Sequence, residues 1–269
     1  MKERIKLYTL LSLLFLLIFS LSSSASGFPS NILYIAAFLL PTAAGVYIAK
    51  RSYNTPGIPL GKIKNAGLLI PLTAPTLLLI FVISYLTSFV IYLLGGEGSS
   101  VTLYGSLPLD ILNNALLPTI LEESLFRLLP LMLIAPLSKR CAIIVSSLFF
   151  AFAHISLHSI PYALFAGAVF FIMDLMAESV WPSVILHFIN NIISLLWIYG
   201  SDDGVFSLVY VLALLLLSLL SAIFILKRRE EYGVCLKEIL SHRESAVISG
   251  EVLFFIIPTL FIAIINIIG

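Results

Sequence analysis

Residues 118–137 read PTILEESLFRLLPLMLIAPL, placing two adjacent glutamates and an arginine inside a run otherwise suited to the middle of a bilayer. The surrounding chain is of the same kind. Of its 269 residues 60% are hydrophobic and 11% charged, and the mean hydropathy is +1.12, far from a soluble globular composition. These values indicate an integral membrane protein. A net charge of +1 leaves no basic face for a polyanion, which excludes nucleic acid as a partner. Cys141 and Cys235, without CxxC spacing, imply neither a disulfide framework nor a zinc knuckle.

A spanning helix needs about 20 mostly apolar residues. Stretches of that kind cover roughly 5–22, 30–49, 68–94, 108–137, 141–157, 161–178, 182–199, 205–226 and 246–268. The expected fold is therefore all-α, a polytopic membrane protein of eight to nine transmembrane helices forming one integral membrane domain over residues 1–269. The first stretch also has the basic start, apolar middle and small-residue end of a signal peptide; it is read as an uncleaved anchor. Cytoplasmic flanks collect lysine and arginine. Lys2, Arg4 and Lys6, then Lys50, Arg51, Lys62 and Lys64, then Lys139 and Arg140, then Lys227, Arg228, Arg229, Lys237 and Arg243 all fall on one side if the N-terminus is cytoplasmic. The opposite loops carry Glu97, Asp202 and Asp203 and no basic residue. Only Arg127, inside the fourth stretch, departs from the rule.

Charged groups at the centre of a bilayer helix cost about 2.5–3.5 kcal/mol on insertion scales, so their positions carry information. Glu122, Glu123, Arg127, His154, Asp174, His187, Asn190 and Asn191 occupy four consecutive spans and avoid the others. Glu123 and Arg127, four apart, share a helix face and can neutralise each other. Glu122 is turned away by about 100° and needs another partner. Pro118 cannot donate a backbone hydrogen bond, which leaves the carbonyl of Asn114 without its partner and predicts a kink just before the carboxylates. His187 and Asn191 are co-facial on their helix, as are Phe150 and His154 on theirs. Asp174 and Glu178 are read as interfacial, and His158 as a solvated loop residue.

A glutamate, two histidines and an amide suit hydrolysis. Glu122 would act as general base on water, His154 and His187 would orient the water or stabilise the oxyanion, and Asn191 would add a donor. The same Glu122, His154 and His187 could instead hold a divalent metal such as zinc, although HExxH spacing is absent. The metal-free reading, without a cofactor, is preferred. A serine nucleophile is disfavoured because GxSxG is missing.

The motifs EESLFR (122–127), FAFAH (150–154) and HFINN (187–191), together with SVWPSVIL leading into His187, resemble the EExxxR, FxxxH and HxxxN pattern of the CAAX-protease and bacteriocin-processing family, which includes the type II prenyl-protein endopeptidases. The resemblance covers about residues 108–200, the motif-bearing core. It implies a core of eight helices around a conical catalytic cavity open to the cytosol and to lateral lipid. It also implies that Glu122 activates water with His154, that His187 and Asn191 stabilise the oxyanion, and that Glu123 and Arg127 support them. The implied substrate is a membrane-tethered peptide or prenylated protein cleaved near its C-terminus. The alternative is a non-enzymatic immunity or secretion-accessory protein that binds a peptide or protein partner. A transporter would call for inverted repeats, and none is found. One tension concerns depth: at about 1.5 Å per residue, His187 lies near 9 Å from the cytoplasmic end of its span and His154 near 20 Å from the start of its own.

Overall fold

The computed structural model describes residues 1–24, 28–55, 57–96, 101–241 and 250–268, and among these it is helical with no strand. Glu97, Arg243 and residues 25–27, the last of the small-residue end of the first stretch, lie outside the described residues. Apolar runs dictate helix here because a backbone in lipid must satisfy its own hydrogen bonds. Among the described residues, six helices are long and apolar enough to cross a membrane: α1 (Lys2–Ser24), α2 (Phe28–Tyr53), α3 (Ala66–Leu93), α8 (Ile160–Ala177), α9 (Trp181–Gly200) and α10 (Gly204–Lys227).

Helices form in all nine expected stretches, but three fall short of a plain span. The expected helix over 108–137 is a segmented run: α4 (Leu107–Asp110), a π-helical turn (Ile111–Leu116), α5 (Leu117–Glu123), a second π turn (Ser124–Leu128) and α6 (Leu129–Leu133). Prolines account for the segmentation. Pro118 and Pro130 each stand in the first turn of a new α segment, where a missing N–H does least harm, with a π turn just upstream. The expected span over 141–157 is α7 (Lys139–Ala153), 15 residues long and opened by a Ser138 side chain that accepts from Cys141 N at 3.2 Å. The last is α12 (Gly250–Ile268), whose apolar core covers Val252–Ile265.

One element was not anticipated. The basic stretch after α10, read as a loop, holds α11 (Arg229–Leu240), which buries Tyr232 and Ile239, seven apart, and exposes its charged side chains. Tyr232 Oη donates to Leu68 O at 2.7 Å, and Arg228 pairs with Glu231 at 2.7 Å while donating to Gly67 O at 3.0 Å. Tyr8, Phe15, Phe126, Phe149, Phe170 and Phe255 are fully or almost fully buried aromatics of the core. α7 and α8 approach closely at Gly167, where a Cβ would lie 3.1 Å from Ser147 Cα.

The ends of the helices segregate by charge. Arg4 donates to Leu133 O, Lys64 pairs with Glu178, Lys139 pairs with Glu238 and Arg228 reaches Gly67. These contacts tie the basic ends of the helices into one surface, the arrangement expected from the loop charges. At the other end Asp110 is fully buried and accepts from Tyr104 N at 2.7 Å, from Asn114 Nδ2 at 3.4 Å and from the Tyr199 hydroxyl, clasping α4 to the end of α9.

Candidate active site

Arg127 has no solvent exposure, and its surroundings follow from the broken helix that carries it. Pro130 deprives the Phe126 carbonyl of an α-helical donor. That oxygen instead accepts from the Ser146 hydroxyl and from Arg127 Nη1 at 3.1 Å. Arg127 Nε stands 3.4 Å from Glu123 Oε2, the ion pair expected from their spacing, with Glu123 1% exposed. The guanidinium also covers the Phe150 ring, its Cζ 4.4 Å from the centroid.

Phe150 is where the three motifs meet. Besides carrying Arg127, its ring makes edge contacts with His154 at 5.0 Å and with His187 at 5.7 Å, centroid to centroid. The spacing FxxxH already placed Phe150 on the face of His154; sequence reasoning passed over it as a member of the site. The two histidines are fixed alike. His154 Nδ1 lies 2.8 Å from the Phe150 carbonyl, an acceptor only, so Nδ1 carries the proton and Nε2 faces away from it. His187 Nδ1 lies 2.7 Å from Glu123 Oε1 and so donates to that carboxylate.

The histidine's short bond therefore goes to Glu123, whereas Glu122 was expected to find the histidines. Glu122 Oε2 stands 4.0 Å from His187 Nε2, beyond a direct hydrogen bond, and makes none among the described residues. The gap is of a size that one water bridges. The reason is geometric: Glu123 sits at the end of α5 facing both Arg127 and α9, and a carboxylate has two oxygens, one for each. Asn191 donates from Nδ2 to Thr119 Oγ1 at 3.4 Å, which brings its amide beside the turn that precedes the glutamates. Asn190 Nδ2 contacts Asn191 Oδ1 at 3.4 Å.

His154, His187 and Asn191 line a cavity of about 600 Å³ between α3, α7, α8, α9 and α10, along with Phe150, Tyr162 and Phe170. The depth tension is met at Phe150, whose ring touches both histidines, so that His154 at the end of α7 and His187 on α9 line the same cavity. His158, expected in solvent, is 8% exposed and lines the same cavity, since its loop folds inward between α7 and α8. Asp174, expected at the interface, is fully buried, and its Oδ1 accepts from Ser183 N at 2.9 Å. It fixes the first turn of α9, four residues before His187. Glu178, in the left-handed conformation that ends α8, is exposed and paired with Lys64 at 2.7 Å, as an interfacial residue would be. Among the described residues no three His, Cys, Asp or Glu side chains are grouped as a metal-ligand set, so the alternative trio of Glu122, His154 and His187 is not assembled as one.

Residues 104–193 match the model of a family described as type II CAAX prenyl endopeptidase Rce1-like. The matched segment runs from the loop before α4 to the middle of α9 and contains all three motifs, so the resemblance read from them is borne out over that third of the chain. No curated protein and no solved structure matches the chain.

Proposed function

We propose that this membrane protein, with its Rce1-like segment, is an intramembrane endopeptidase that hydrolyses a peptide bond of a membrane-associated substrate by water activated at Glu122. The observation that carries the reading is the pairing of His187 Nδ1 with Glu123 at 2.7 Å, which leaves the other ring nitrogen 4.0 Å from Glu122.

Charge balance in a low-dielectric site assigns the roles. Glu123 and Arg127 offset each other, which leaves Glu122 as the carboxylate placed to act on a water beside His187 Nε2. In the reactive state the Glu122 carboxylate takes a proton from the bridging water, and the resulting hydroxide adds to the scissile carbonyl. The oxyanion accepts hydrogen bonds from His187 Nε2–H and from the Asn191 amide. Glu122 then returns its proton to the departing amine. His154, its Nδ1–H held by the Phe150 carbonyl, offers the Nε2 lone pair to the second hydrogen of the water. Glu123 and Arg127 are positioning residues. No step is routed through a metal, because the described residues supply no fitting ligand set.

A direct test incubates the purified protein in proteoliposomes with internally quenched membrane peptides, farnesylated and unmodified, and locates cleavage by mass spectrometry in H₂¹⁸O. The reading expects one ¹⁸O in a new α-carboxylate, and cleavage of the farnesylated peptide alone would narrow the substrate to prenylated proteins. An intact set of peptides in the presence of folded protein would count against it.

A further inference from the structure

Helix α9 begins without a cap of its own. Val180, at the N-cap position, makes no side-chain bond, and Pro182 in the first turn has no N–H to offer. The Ser183 N–H is met from outside the helix, by Asp174 Oδ1 at 2.9 Å. Serine, asparagine or aspartate at the N-cap usually supplies such a bond. Placing it on the preceding helix instead puts a carboxyl with no solvent exposure among apolar spans, and its second oxygen makes no hydrogen bond among the described residues. Capping alone does not account for so costly a residue.

What Asp174 adds is a link to the catalytic groups. Ser183, His187 and Asn191 are successively four apart and form one stripe on α9. The stripe is held on either side of the histidine, Ser183 by Asp174 and Asn191 by Thr119 Oγ1 at 3.4 Å. Between these points His187 Nδ1 meets Glu123 Oε1 at 2.7 Å. The Ser183 hydroxyl donates to Val180 O at 2.9 Å, and its side chain faces the carboxyl groups of both Glu123 and Asp174. Asp174, Ser183, Glu123 and Arg127, each 1% exposed or less, make one buried polar layer behind the imidazole. A misplacement of about 1 Å at a reacting group can cost about 10²-fold in rate, so the rotation of α9 against α5 has to be held tightly.

We infer, resting on the proteolytic reading above, that Asp174 is a positioning residue for the reaction: through Ser183 it sets the rotation of α9 that keeps His187 Nδ1 on Glu123 and His187 Nε2 toward Glu122. Asp174 touches neither the water nor the substrate. Its effect reaches them by way of the imidazole.

The experiment uses the full-length protein in detergent, as wild type, Asp174→Asn, Asp174→Ala and Asp174→Leu. Asparagine keeps the acceptor for Ser183 N–H; alanine and leucine remove it, and leucine retains the branched shape in a form at home in lipid. Ring ¹⁵N-histidine NMR resolves four histidines, of which His187 is assigned by the signal missing from His187→Gln. In the wild type and in Asp174→Asn the His187 proton is expected on Nδ1, with the downfield shift of a short bond to a carboxylate. Asp174→Ala and Asp174→Leu should lose that signature. On a membrane peptide they should lower kcat at least about tenfold with KM changed less than about twofold, while Asp174→Asn keeps at least about a third of the wild-type kcat. A wild-type His187 signal in folded Asp174→Ala or Asp174→Leu overturns the inference, as does a lost signal that asparagine fails to preserve. Failure of both apolar variants to fold would mark Asp174 as purely structural and overturn it too. The NMR signal is read without any proteolysis, so a protein that cleaves nothing would sink the enzymatic reading while the hold of Asp174 on His187 is still decided.

Discussion

Phe150 illustrates how one side chain serves several partners. Its ring supports the Arg127 guanidinium and touches both imidazoles, and its carbonyl sets the tautomer of His154. Phe150→Leu keeps the apolar bulk and loses the aromatic contacts, a change worth about 1–2 kcal/mol. Its expected signature is a lowered kcat with KM little changed, readable in steady-state kinetics, because ring orientation at the reacting water suffers before substrate binding does. Arg127 makes a second case. Breaking a buried ion pair by removing one partner costs about 3–5 kcal/mol. Arg127→Met should therefore lower thermal stability in detergent strongly, and adding Glu123→Gln should recover part of the loss. Additive losses would show that the pair is not coupled. At this scale the sequence was legible where spacing on one helix decides the contact, as for Glu123 with Arg127. It was not legible where two acceptors compete across helices: the choice of Glu123 over Glu122 by His187 depends on how α5 is rotated against α9.

Elements were legible where apolar length alone decides them, as in α1, α2, α3, α8, α9 and α10. The π turns around Glu122 to Arg127 were not, although Pro118 and Pro130 announced a break, because proline tells where an α-helical bond is lost and not how the neighbouring turns absorb it. Helix α11 carried a signal that the basic residues masked: Tyr232 and Ile239 repeat at helical spacing on one face. Arg228 holds that helix through Glu231 and Gly67, so Arg228→Ala should raise amide hydrogen exchange across 229–240 while exchange in α9 stays unchanged. Between α7 and α8 the close approach at Gly167 leaves no room beside Ser147. Gly167→Val should cost about 1–3 kcal/mol by overpacking, seen as a lower Tm in detergent together with reduced activity, since α7 carries Phe150 and ends at His154.

Across the whole molecule, charge and polarity divide the labour. Basic helix ends gather on one surface, the apolar belt faces lipid, and the ionisable residues that sequence reasoning isolated meet around Phe150, with His154 and His187 on the cavity wall and Glu123 and Arg127 packed behind them. Asp174 belongs to the same logic although its place near a helix end concealed it: a buried carboxylate at the α8–α9 turn fixes the start of the helix that delivers His187. The central claim is that Glu122 is the base, with Glu123 and Arg127 holding His187 in place beside it. Its most direct measurement is the cleavage rate per folded molecule of wild type and Glu122→Gln on a membrane peptide that the wild type cleaves. The account predicts a loss of about 10²–10⁴-fold, the scale of a missing general base, with thermal stability unchanged. A Glu122→Gln protein that cleaves at the wild-type rate would contradict it.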